Sequence, residues 1–231
     1  SEVFVGSTMT LAAICGFFSG YLPTRLFLWL ALTESDLEGS NLPRLYQERK
    51  AQTVKDVEAV QAAAALPAAA VGEGSSAERG DVITTRQEIQ ELAARYESLR
   101  ATLPPGRKRT AKMEEVLHQM RQLAPRLDPD LLTRLEQSNA PGEKLAFIAW
   151  LQVFPRAEKL RWLADCLGSE KPFVGYHAAV ALHTAAVSRS IDPQSVLEAI
   201  RRAQSLLEPP EAGTDRARML RDAEREAKAR L

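Results

Sequence analysis

The segment KPFVGYHAAVALHTAA, residues 171–186, indicates which fold the larger part of this chain adopts. A proline stands near its start, and proline is favoured in the first turn of a helix because its missing amide hydrogen costs nothing there. Alanine recurs along the rest, favouring the helical backbone and letting neighbouring helices approach closely. The segment therefore predicts a helix over residues 172–187 against which other helices pack.

Short helical patterns flank this segment on both sides, over residues 142–153 and 157–167, with breaks between them. Asp128-Pro129 and Asp192-Pro193 each place a capping side chain before a proline, which is typical of a helix start. No strand-like alternation or hairpin signal is present, so the sequence predicts an all-α domain over residues 82–208, built as a compact helical bundle or a short superhelix. The expected core includes Leu145, Ile148, Leu163, Phe173 and Leu182.

Two more helices are predicted upstream. Thr84 or Thr85 is expected to cap the first, which Pro104-Pro105-Gly106 ends, and the second runs from about Thr110 to Leu123. Residues 67–81, which are rich in alanine, glycine and serine, predict a flexible linker. Residues 34–66 predict a solvated amphipathic helix. Residues 209–231 predict a charged tail, either a helix that faces water or a frayed end.

The chain opens on an apolar stretch, since residues 3–24, VFVGSTMTLAAICGFFSGYLPT, carry no charged side chain. About twenty apolar residues span a bilayer, so residues 1–33 predict a transmembrane or membrane-associated segment. Gly16 and Gly20 form a GxxxG pair, the small-residue spacing through which membrane helices pack closely and associate. The alternative is a helix buried in a soluble core, with Pro23 in a helix–helix turn.

Composition excludes little, because 30 basic and 30 acidic residues give a net charge of zero. Without a positive excess, or aromatic residues interleaved with basic ones, nucleic-acid binding is not expected. The spacing of the three histidines matches no common zinc motif, so neither a metal nor a cofactor is predicted. Cys166 and His177 could form the nucleophile and base of a catalytic pair. Cysteine is more often a small buried residue, so we do not expect this pair to act in catalysis. We therefore expect a protein that is not an enzyme.

One dense basic cluster stands out, Arg107-Lys108-Arg109, placed by its Pro-Pro-Gly prefix in a loop that opens a helix. No P-loop motif is present, so a nucleotide is not the expected ligand. Arginine and lysine side chains in such a loop bind acidic groups well. We predict that these three residues contact an acidic protein partner; the alternative is an ordinary solvated loop.

A resemblance adds to this reading. The segments YESLRATLPPGRKRTAKMEEVLHQMRQLA, GEKLAFIAWLQVFP and EKPFVGYHAAVALHTAA resemble a helical, HEAT-like module of uncharacterised bacterial conflict (defence-associated) and signalling proteins. The segment GFFSGYLPTRLFLWLAL resembles a terminal transmembrane helix of bacterial membrane proteins. The resemblance brings no catalytic residue, and it implies association and regulation.

Together these observations predict a membrane-anchored helical module that recruits or scaffolds a protein partner. The expected location is the bacterial inner membrane with the C-terminal domain in the cytoplasm, and self-association through the apolar helix is a further expectation. Two alternatives stay open. The chain is either a wholly soluble, cytoplasmic adaptor associated with an effector, or the non-catalytic C-terminal part of a hydrolase whose active site lies upstream.

Overall fold

A computed structural model describes residues 42–65, 76–207 and 214–231 of the chain. Every regular element in these ranges is helical, so the predicted all-α class is confirmed for the part of the chain that the structure describes. The α-helices are α1 (Leu42–Ala65), α2 (Ser76–Thr102), α3 (Arg107–Leu123), α4 (Pro129–Gln137), α5 (Pro141–Val153), α6 (Leu160–Ser169), α7 (Pro172–Val187), α8 (Pro193–Leu206) and α9 (Asp215–Lys228). Single 3₁₀ turns, Ala124–Arg126 and Ala157–Lys159, precede α4 and α6.

Local chemistry explains where these helices begin. Asp128 accepts a hydrogen bond from the Leu131 amide, and Asp192 accepts one from the Ser195 amide, each directly before a proline. Thr214 caps α9 in the same way through the Ala217 amide. Such caps satisfy amides that lack a partner inside the first turn. The two Asp-Pro starts predicted from sequence are therefore confirmed.

Helix α7 lies at the centre of the packing. Its side chains from Val174 to Ala186 are buried all the way round, and α5, α6, α8 and α9 all pack against it. A helix that is apolar on every face belongs in a core. The predicted core residues Leu145, Ile148, Leu163 and Leu182 are at most 2% exposed, whereas Phe173 is only partly buried.

Two helix starts differ from the sequence prediction. Helix α2 begins at Ser76, so residues 76–81 are helical rather than part of the predicted linker, and Thr85 is buried inside the helix. Ala77, Glu78 and Arg79 are good helix formers that outweigh the cost of about 1 kcal/mol for Gly80. Helix α3 begins at Arg107 rather than near Thr110. The rest of the predicted linker, residues 67–75, lies outside the described residues.

The prediction that the C-terminal tail faces water is wrong, although the tail is helical as predicted. Helix α9 packs on α7 and α8, and its buried side chains recur at helical spacing. The buried apolar ones are Ala217, Met219, Leu220, Ala223 and Ala227. Gly175 on α7 makes room for Arg216, because a Cβ atom there would lie 3.0 Å from the arginine Cδ. The Arg216 Nη1 atom then donates to the Leu167 carbonyl at 3.1 Å, so the C-terminal helix is held by both packing and hydrogen bonds.

The chain divides into two compact units, residues 1–48 and residues 49–231. Of the first unit the structure describes only residues 42–48, which form the start of α1. Among the described helices, none combines the length and the apolar character needed to cross a bilayer. The apolar stretch of residues 3–32, with Gly16 and Gly20, lies outside the described residues, so the membrane segment stays a prediction.

Candidate functional site

The predicted basic cluster forms the first turn of α3. Arg107 and Lys108 are exposed and Arg109 is partly buried. The Arg109 Nη1 atom donates to the Leu103 carbonyl at 3.3 Å, which fixes this side chain against the end of α2. Lys112 is exposed one turn beyond Lys108, on the same side of the helix. The basic surface therefore extends along two turns of α3.

The start of α3 lacks the features that normally neutralise a helix N-terminus. Its N-cap residue, Gly106, has a φ of 146° and offers no side-chain hydrogen bond, and the first turn contains no acidic residue. An open helix N-terminus is electropositive, so cations there are unfavourable by a few tenths of a kcal/mol each at an exposed site. The first turn of α3 thus holds three basic side chains and no acidic one.

A second set of polar groups lies buried between α3, α5 and α7. The Arg121 Nε atom donates to Gln152 Oε1 at 2.7 Å, and Gln152 Nε2 donates to the His177 carbonyl at 2.8 Å. The His177 Nε2 atom lies 3.2 Å from Glu114 Oε1. Arg121, Gln152 and His177 are each at most 1% exposed. Sequence reasoning missed this network, although Gln152 between the apolar Leu151 and Val153 is a signal that could have found it.

Burial dominates the electrostatics of Arg121. It lowers the pKa of the guanidinium, and the carboxylates of Glu114 and Asp56 act in the opposite direction. The Asp56 Oδ2 atom on α1 lies 4.0 Å from Arg121 Nη1. The Arg121 Nη2 atom is buried and has no hydrogen-bond partner among the described residues. Such a buried, incompletely satisfied cation is costly and requires an explanation.

Cys166 lacks the environment of a nucleophile. Burial first, and then the carboxylate of Glu170, raise the pKa of its thiol to about 12. A nucleophilic cysteine needs the opposite shift, because the thiolate is the reactive form. His177 faces Glu114, and His183 is buried elsewhere on α7, where burial and the charge of Lys50 lower its pKa. His177 and His183 thus lie in separate surroundings on the same helix, α7.

Three aromatic residues of α5 and α6 contact one another. Phe147 is buried, stacks on Trp150 at 5.8 Å and meets Trp162 edge-on at 5.0 Å between ring centroids. Trp150 and Trp162 are only partly buried, and the exposed Arg156 lies 5.6 Å from the centre of the Trp150 ring. Core packing therefore accounts for Phe147, whereas the two tryptophans also form part of the surface.

Within residues 42–65, 76–207 and 214–231, no group of three or more histidine, cysteine, aspartate or glutamate side chains is arranged to hold a metal ion. Comparison of the chain with protein-family models, with curated proteins and with solved structures finds no match. The description of the site therefore depends on the geometry of the chain itself.

Proposed function

We propose that this chain is a membrane-anchored recruitment module, in which a compact bundle or short HEAT-like superhelix captures an acidic protein partner. The uncapped basic start of α3 carries the proposal, because the exposed Arg107 and Lys108 and the partly buried Arg109 lie there without an acidic residue in the same turn. Arginine and lysine recognise carboxylates through charge-assisted hydrogen bonds. Such a patch attracts an acidic partner and speeds its association.

The anchor in this proposal is the charge-free stretch of residues 3–24. Its length matches the thickness of a bilayer, and Gly16 and Gly20 supply a face for association with a second helix. The role of the span is to hold the helical domain, and hence the captured partner, at the cytoplasmic face of the bacterial inner membrane. The loose resemblance to modules of bacterial conflict and signalling proteins supports this class of function.

The experiment is a binding titration with a fluorescent poly-glutamate peptide as the acidic probe. Reversing Arg107, Lys108 and Arg109 to glutamate removes three contacts to the probe at or near the surface, worth about 0.5–1 kcal/mol each. We expect the full chain to bind the probe about tenfold or more less tightly after this change. The affinity of the unmodified chain should also fall as salt is raised from about 0.1 M to about 1 M, since screening shortens the reach of exposed charges.

The matched control reverses Lys55, Arg161 and Arg189, which are exposed and dispersed over the surface. This control changes the net charge by the same amount but leaves the start of α3 intact. Equal loss of probe binding in the two triple variants would show that only net charge matters, and the proposed site would be withdrawn. Unchanged circular dichroism in both variants verifies that folding is retained.

A further inference from the structure

Residues 50–62 of helix α1 make polar contacts with two other helices of the second unit, α5 and α9. Lys50 Nζ lies 2.6 Å from Asp222 Oδ2 on α9, and Gln61 Nε2 donates to the carbonyls of Gln152 and Val153 at 3.2 and 3.0 Å. Between positions 50 and 62, Val57 is the one buried apolar side chain that the structure describes on α1. Helix α7, by contrast, is buried mainly through apolar residues.

The surface beneath α1 presents nitrogen atoms of two α3 side chains to a carboxylate. Arg121 on α3 is 1% exposed, and its position is fixed by the hydrogen bond to Gln152. His118 Nδ1, one turn earlier on α3, lies 3.7 Å from the same Asp56 oxygen that Arg121 approaches. Two basic side chains of α3 therefore face one acidic position on α1.

Asp56 satisfies this site only in part. Its Oδ2 atom lies 4.0 Å from Arg121 Nη1, which is beyond hydrogen-bond distance. The other carboxylate oxygen accepts from Gln52 on α1 itself at 2.8 Å, and Arg121 Nη2 lacks a hydrogen-bond partner in the described part of the chain. A glutamate at the same position would reach about one methylene further toward the guanidinium. The site thus favours a carboxylate on a longer side chain than the one that occupies it.

We propose that the face of α3 and α5 beneath α1 is a helix-binding site for an amphipathic helix of a partner, which carries a glutamate at the position of Asp56. In this proposal α1 occupies the site within the chain and is displaced by the partner helix. The buried network of Arg121, Gln152 and His177 fixes the position of the Arg121 guanidinium, so that the carboxylate of a partner helix can bind it without rearrangement. This surface is separate from the start of α3 and does not require the acidic-partner proposal to be correct.

The test uses a fluorescent synthetic peptide of residues 42–65 carrying Asp56→Glu, titrated with the full chain in a mild detergent. We expect the peptide to bind, and its Asp56→Asn counterpart to bind about tenfold less tightly, because a charge-assisted hydrogen bond is lost. A Glu58→Gln change in the peptide is the matched control, since Glu58 is exposed on the same helix. This control should leave the affinity unchanged.

A second arm changes the occupant rather than the probe. Introducing Asp56→Asn into the full chain weakens its own α1 contact, so the Asp56→Glu peptide should bind this variant several-fold more tightly than it binds the unmodified chain. Absence of peptide binding to the Asp56→Asn chain would overturn the proposal. Equal affinities of the Asp56→Asn and Glu58→Gln peptides would overturn it as well, because Arg121 would then not recognise the carboxylate.

Discussion

Replacing Leu163 with alanine is expected to lower the free energy of unfolding by about 2–5 kcal/mol. Leu163 is 2% exposed in α6, which packs against α7 and α8. Removing its three terminal carbon atoms costs both the burial of apolar surface and the cavity that remains. Chemical denaturation of the full chain, followed by circular dichroism at the helical band, measures this loss directly.

The matched substitution is Leu206→Ala on α8, where the leucine is 40% exposed. The same atoms are removed, but a larger share of this side chain already faces water, so the loss is expected to be clearly smaller than for Leu163→Ala. Equal losses for Leu163→Ala and Leu206→Ala would contradict the packing of α6 described above.

A Gly142→Ala substitution is expected to destabilise the bundle by about 1–3 kcal/mol or more. The new Cβ atom would lie 2.4 Å from the carbonyl oxygen of Ala93, so helices α2 and α5 would have to separate. Separation would also stretch the hydrogen bond from the Gly142 amide to Glu97 Oε1, now 3.2 Å. Thermal unfolding of the purified chain tests this, with a clear drop in midpoint as the expected result.

Ala94→Leu provides the control for this close approach. Ala94 is the neighbour of Ala93 on α2 but is exposed, so the added carbon atoms extend into water. Its effect should lie within about 0.5 kcal/mol. If Gly142→Ala were as harmless as Ala94→Leu, the contact between α2 and α5 would be looser than the structure describes.

The sequence predicted most of the helices because their signals are local. Prolines and capping aspartates mark the starts of α4 and α8, and the apolar face of α3 is buried as its spacing indicates. The burial of α9 was missed because alanine contributes little to an apolar face by hydropathy. Its alanines instead permit close approach to α7, and this becomes visible only once α7 is in place.

Only the part of the candidate site whose residues are adjacent in sequence could be predicted. The cluster of Arg107, Lys108 and Arg109 is contiguous in sequence, so its place near a helix start follows from neighbouring residues, although it forms the first helical turn rather than the predicted loop. The network of Arg121, Gln152 and His177 joins three helices. No spacing rule within one segment connects these residues, because their proximity results from the packing of α3, α5 and α7.

Flotation of vesicles made of a neutral phospholipid, with the full chain and the fluorescent poly-glutamate probe, tests anchored recruitment in one experiment. We expect the chain to float and carry the probe, and deletion of residues 1–40 to leave both at the bottom. We also expect the triple reversal of Arg107, Lys108 and Arg109 to float without the probe. If the full chain stayed at the bottom, or if the triple variant carried the probe in the same amount, anchored recruitment would be wrong.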